Sequence, residues 1–183
     1  HLTDFFDLVM YCQPPGTQKS SGSISWLGYS YLNSYRTFFN DVWCKSVTLQ
    51  MHEVGHNLGL HHSGLPNDTE YSDKTGVMGY SYLMDDGGHM CFNAAKSYQL
   101  GWYEDRTDSI DPLSLPGGYK EYVLNGVVDY DPVDGDIVVV RLEHEGNFEG
   151  LDYYIGYNRA VGINSATQNG RNLVQLFEKE NYM

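Results

Sequence analysis

The sequence predicts an α+β protein, and three observations predict it. Apolar residues recur at helical spacing in two segments of the first hundred residues, whereas beyond Trp102 the chain breaks into short strand-like runs separated by Gly, Pro, Asp and Asn. At 183 residues, with 41% hydrophobic and 14% aromatic residues, the chain is also long and apolar enough for one core. Taken in order, residues 23–32 (SISWLGYSYL) are β-branched and aromatic with partial alternation, and read as a strand. Residues 46–58 carry Val47, Met51, Val54 and Leu58 at spacings of four, three and four, as on one helix face. Gly59 ends that helix, since glycine takes the left-handed conformation common just past a helix C-terminus. A second helix is expected over 91–100, with Phe92, Ala95 and Tyr98 or Gln99 inward and Gly101 closing it. Strands are expected at 121–124, 137–142, 153–157 and 173–177. Ile137 to Val140 is apolar on both faces, which suggests a strand covered on both sides.

The formal net charge of −13 argues against a nucleic-acid or anionic-membrane partner, because either depends on clustered Lys and Arg. No apolar run approaches the roughly 18 residues of a membrane span. The chain opens at His1 rather than at Met, so the N-terminus reads as cut, and the lack of a signal peptide does not argue for the cytoplasm. Three cysteines, Cys12, Cys44 and Cys91, leave one thiol over, and their pairing is open. Asn67-Asp68-Thr69 is an N-glycosylation sequon, a short pattern that leans towards secretion. The acidic run 129–136 does not fit a calcium loop, because an EF-hand needs glycine at its sixth position and Asp134 stands there. It reads as a solvated turn.

Residues 52–62 spell His-Glu-Val-Gly-His-Asn-Leu-Gly-Leu-His-His, the pattern H-E-x-x-H-x-x-G-x-x-H. His52 and His56 lie one helical turn apart, so both rings leave one face and can reach a single metal ion. Glu53 emerges beside the metal rather than on it, where it can accept a proton from a water. Gly59 lets the backbone turn, and His62 returns as the third ligand. His61 adjoins it, but the spacing after Gly59 favours His62. Three neutral nitrogens with an open fourth position are the mark of catalytic rather than structural zinc. Five fixed positions arise by chance in a chain this long with a frequency on the order of 10⁻⁵ to 10⁻⁴. His89, in a Gly-rich loop, has no ligand partner at recognisable spacing.

The extended motif followed by a methionine turn resembles the metzincin metallopeptidases. Thr75-Gly76-Val77-Met78-Gly79-Tyr80-Ser81 looks like that turn, with Met78 as an apolar floor beneath the zinc. Tyr80 matches the spacing at which astacin-like and serralysin-like members carry a tyrosine beside the metal. Within the metzincins the chain most resembles the gametolysin family, on Met10 to Gly16, Trp43-Cys44, His56 to Leu60, Gly76 to Tyr82, Cys91 to Trp102 and Tyr153 to Asn158. Some members of that family have Gln in place of the first motif His; here it is His52. Ser63 after the third ligand is shared with matrix metallopeptidases, the runner-up.

The resemblance implies a metzincin-like zinc peptidase with a twisted sheet, an active-site helix and a Met-turn, followed by a β-rich C-terminal part. It also implies one domain over 1–183, cut at both ends, with a zinc-site part over 1–103 and a β-rich part over 104–183. The expected activity is zinc-dependent hydrolysis of internal peptide bonds in extracellular or cell-wall glycoproteins by a secreted enzyme. Zn²⁺ would be held by His52, His56 and His62, with Glu53 as base and then acid and Tyr80 as hydrogen-bond donor to the oxyanion. Residues 23–32 resemble the edge strand on which metzincins pair extended substrates. A non-catalytic, zinc-stabilised adhesion module is the competing class, and an intact Glu53 speaks against it.

Overall fold

The computed structural model describes residues 5–14, 17, 26–79, 89–133, 135–143 and 151–180. The chain divides into two compact units, His1–Met90 and Cys91–Met183.

In the first unit, three strands form a mixed sheet in the order β1-β3-β2. These are β1 (Val9–Cys12), β2 (Gly28–Ser30) and β3 (Arg36–Phe39). β3 is central, parallel to β1 and antiparallel to β2, and its residues alternate, with Thr37 and Phe39 buried between exposed Arg36 and half-buried Phe38. The opposite face carries Tyr11, Phe38 and Tyr29, whose rings stack across the three strands at 5.0 and 4.9 Å. Helix α1 (Val47–Asn57) starts where the Ser46 hydroxyl accepts from the Leu49 N–H, and ends where the Gly59 N–H reaches the His56 carbonyl. Gly59 has φ +87°, the left-handed conformation expected of it. A disulfide joins Cys12 on β1 to Cys44 just before α1, leaving Cys91 as the free thiol.

The helix stands where its periodicity places it, but it buries a different face. Val47 and Leu58 are exposed and Met51 and Val54 only half-buried, while Thr48, Leu49, His52, Glu53, Gly55 and Asn57 are buried. Hydrogen bonding makes this possible. Asn57 donates to the Arg36 carbonyl and the Ser30 hydroxyl and accepts from Thr37, so a polar side chain ties α1 to β2 and β3 without an unmet group. The expected strand 23–32 is shorter, Gly28–Ser30, and residues 23–25 lie outside the described residues. β1 and β3, not anticipated, are only four residues long each.

In the second unit, β4 (Thr107–Ile110), β5 (Val139–Leu142), β6 (Leu151–Tyr157) and β7 (Val174–Glu180) form a sheet in that order, β4 and β5 parallel and the rest antiparallel. Helix α2 (Ala94–Leu100) is capped by Asn93, whose side chain accepts from Lys96, and closed by Gly101 at φ +69°. The Asn93 cap explains why the helix begins at Ala94 and not at Cys91. Ala94 and Ala95 pack with Val138, Val139 and Tyr154 into the core. A Cβ on Gly156 would lie 2.5 Å from the Ala94 Cβ, so glycine in β6 permits the close approach of helix to sheet. This packing puts α2 in the second unit, which begins at Cys91, ahead of the 103/104 division that the resemblance implies. Val138, Val139 and Val140 are all buried, as the two-sided apolar run implied. The expected strand 121–124 reduces to a single bridge, Leu124 with Ile137. Among the described residues no helix is long and apolar enough to cross a membrane.

Candidate active site

α1 carries His52, Glu53 and His56, and the turn at Gly59 brings His62 back beside them. The return is fixed by the Leu60 N–H donating to the Gly55 carbonyl, with Leu60 fully buried. One ring nitrogen from each of His52, His56 and His62 lies within 4.8 Å of the others.

The second nitrogen of each ring is engaged. His52 Nδ1 is 2.8 Å from the Val77 carbonyl oxygen, His56 Nδ1 is 2.7 Å from the Leu60 carbonyl oxygen, and His62 Nδ1 is 3.0 Å from Glu70 Oε2. A carbonyl oxygen only accepts, so His52 and His56 must carry their proton on Nδ1, which makes Nε2 the unprotonated nitrogen of each ring. Burial, and to a lesser degree the neighbouring His56 and His62, pushes the His52 pKa down to about 4 against the support of the Val77 carbonyl. His52 is therefore neutral at pH 7, the form a metal requires. The Nε2 atoms of His56 and His62 stand 3.0 Å apart. With the Nδ1 atoms committed, this convergence of imidazole nitrogens is a donor set that fits a divalent cation of the zinc type.

Glu53 lies beside the triad and is 4% exposed. Its Oε2 is buried and makes no hydrogen bond. Burial raises the carboxyl pKa to about 7, opposed by a hydrogen bond from the Ser30 backbone. The Ser30 hydroxyl also donates to the Glu53 backbone carbonyl at 2.6 Å, which ties β2 to α1 at this residue. A Cβ on Gly28 would sit 3.1 Å from Glu53 Cγ and Oε1, so a bare backbone there leaves the carboxylate its place. These residues open on a cleft of about 330 Å³, which Trp26, Tyr29 and Tyr71 also line.

The chain from Ser63 to Gly79 closes on itself. The Ser63 N–H donates to the Met78 carbonyl, the Asp73 N–H to the Ser63 carbonyl and the Gly79 N–H to the Gly76 carbonyl. Met78 and Val77 are buried. His61 and His89 are exposed. Tyr80 lies outside the described residues.

The comparisons with known proteins bear on this site. The profile of the gametolysin peptidase M11 family matches residues 4–127, which contain the whole triad and Glu53. The chain belongs to the gametolysin peptidase family. Its similarity to the autolysin of Chlamydomonas reinhardtii is 31% identity over 115 residues, 59% of this chain and 16% of that protein. The chain thus spans about a sixth of the length of that curated relative. No solved structure matches. In this gametolysin-family chain the residues that sequence reading missed are Glu70 and Tyr71 behind His62, and Gly28 and Ser30 beside Glu53. None stands at a fixed spacing from the motif, because each reaches the site from a loop or strand rather than along the helix.

Proposed function

We propose that this chain carries the catalytic centre of a secreted, zinc-dependent metalloendopeptidase that cleaves internal peptide bonds of extracellular or cell-wall proteins and glycoproteins. The observation that carries the reading is the pairing of three converging imidazoles with a buried, partnerless carboxylate oxygen in one cleft. His52, His56 and His62 would hold the metal. When bound, zinc supplies a Lewis acid that polarises the scissile carbonyl and acidifies the attacking water.

Glu53 accepts the proton of that water and delivers it to the leaving amine. Its raised pKa suits both roles, since a group near neutrality can take a proton and give it back. The bare Oε2 is the acceptor for the first transfer. A carboxylate oxygen buried without a donor costs folding free energy, which a purely structural zinc site has no reason to carry. This weighs against the adhesion-module reading. Among the described residues β2 is the terminal strand of its sheet, and it borders the cleft through Gly28, Tyr29 and Ser30. An extended substrate adding to that edge would gain main-chain hydrogen bonds with little sequence selectivity. On the pattern of astacin-like and serralysin-like metzincins Tyr80 would donate to the oxyanion, and on the metzincin pattern Met78 would form the floor under the metal. Burial of Met78, and the Val77 carbonyl held against His52, support the second assignment.

Cleavage of casein or cell-wall protein, measured with and without chelator and with Glu53→Ala, tests the reading. Chelator should abolish cleavage and zinc should restore it. Equal cleavage by Glu53→Ala would sink the mechanism, and zinc stoichiometry near zero would sink the site.

A further inference from the structure

The three histidines are not held alike. His52 and His56 lean on backbone carbonyls, of Val77 and Leu60, which lie in turns fixed by main-chain hydrogen bonds. His62 lies beyond the helix, and the group on its Nδ1 is a side chain, the Glu70 carboxylate at 3.0 Å. The next residue, Tyr71, covers the ring itself, with centroids 4.1 Å apart and planes at 44°. Both come from one closed loop. The Asp73 N–H returns to the Ser63 carbonyl, the Leu65 N–H donates to the Ser72 hydroxyl at 2.7 Å, and that hydroxyl donates to the Thr69 carbonyl at 2.7 Å.

We propose that Glu70 and Tyr71 are positioning residues for His62, a clamp in which the carboxylate fixes the Nδ1–H tautomer and the phenol ring fixes the plane of the imidazole, so that Nε2 points at the metal. The inference rests on the zinc reading above. A free histidine rotates about two side-chain bonds, and ordering it at the moment of metal binding costs affinity. A carboxylate on Nδ1 also makes the ring a stronger donor, and removal of such an orienting partner typically lowers metal affinity about 10–100-fold. Glu70 is 66% exposed at its side chain, so as an ion pair it contributes little to folding. Its effect should therefore appear in metal affinity rather than in stability.

The test is zinc affinity by chelator competition for wild type, Glu70→Ala, Glu70→Gln, Tyr71→Ala and Tyr71→Phe, with imidazole proton resonances of the zinc-loaded proteins. Glu70→Ala should bind zinc about 10–100-fold more weakly, with the metal-free unfolding midpoint unchanged and the His62 Nδ1–H resonance lost to solvent exchange. Glu70→Gln, which keeps an acceptor, should fall between. Tyr71→Phe keeps the ring and should match wild type, while Tyr71→Ala should not. Wild-type affinity and an intact His62 resonance in Glu70→Ala, beside a tightly binding wild type, would overturn the clamp alone. A wild type that takes up no zinc would overturn the clamp together with the zinc reading.

Discussion

Acidifying the metal-free protein tests the geometry of the triad without any substrate. His52 is 3% exposed, and its pKa falls from an ordinary 6.5 to about 4. Between those values the unfolded chain holds a proton on this ring that the folded chain refuses, so stability is whole above pH 6.5 and is lost as pH falls towards 4. A drop of about 2.5 units at 1.36 kcal/mol per unit gives roughly 3 kcal/mol. For a chain of this size that corresponds to a fall of about 6–12 °C in unfolding temperature. Chelator-treated protein would be unfolded by urea at intervals from pH 7.5 to pH 4, beside His52→Asn, whose amide can still donate to the Val77 carbonyl. Other groups titrate over the same range, so the difference in slope between the two proteins is the quantity to read. The variant should lack about 3 kcal/mol of the wild-type pH dependence. Identical slopes would mean that His52 is not held neutral by burial, and the argument for a preformed metal-ready ring would fail.

Glu53→Gln should lower kcat by about 10²–10⁴ while zinc content stays at the wild-type level, measured by peptide turnover and metal analysis; loss of zinc with the activity would give Glu53 a structural role instead. In Gly79→Ala the new Cβ would lie 1.5 Å from the Asp73 carbonyl oxygen. No side-chain rotation relieves a clash with backbone, so destabilisation of about 3 kcal/mol or more is expected by thermal unfolding, and a wild-type midpoint would contradict the closed loop from Ser63 to Gly79. Burial pushes the Cys91 thiol from 9.0 up to about 11. At pH 8 its thiolate fraction, and with it the rate of iodoacetamide alkylation, should be about 100-fold below that of the urea-unfolded chain, read by mass spectrometry.

The histidine motif was legible because its first three chemical groups lie on one helix, where the backbone converts sequence spacing into direction. Four residues from His52 to His56 is one turn, and no tertiary information is needed to put both rings on one side. His62 needed one further local fact, a glycine able to reverse the chain. Glu70, Tyr71 and Ser30 are out of reach of such reasoning, since their distance from His62 or Glu53 depends on how a loop closes and a strand pairs. β1, β3 and β4 escaped for a related reason. Each is four residues long, and sequences such as Arg36-Thr37-Phe38-Phe39 acquire their strand character from pairing rather than from their own pattern.

The same helix shows where periodicity misleads. Val47, Met51, Val54 and Leu58 repeat correctly and identify the helix, yet the buried side holds His52, Glu53 and Asn57. A hydrophobic stripe reports the core face only where burial is paid for by apolar transfer. On α1 the buried groups are instead satisfied one at a time, His52 by the Val77 carbonyl and Asn57 by β2 and β3. Glu53 Oε2 is the exception, a buried acceptor left without a donor. Local rules that otherwise agree along a chain often break at sites kept for chemistry. The polar buried face of α1, with its one unsatisfied oxygen, is such a break, and it falls on the residue that the motif alone assigns to proton transfer.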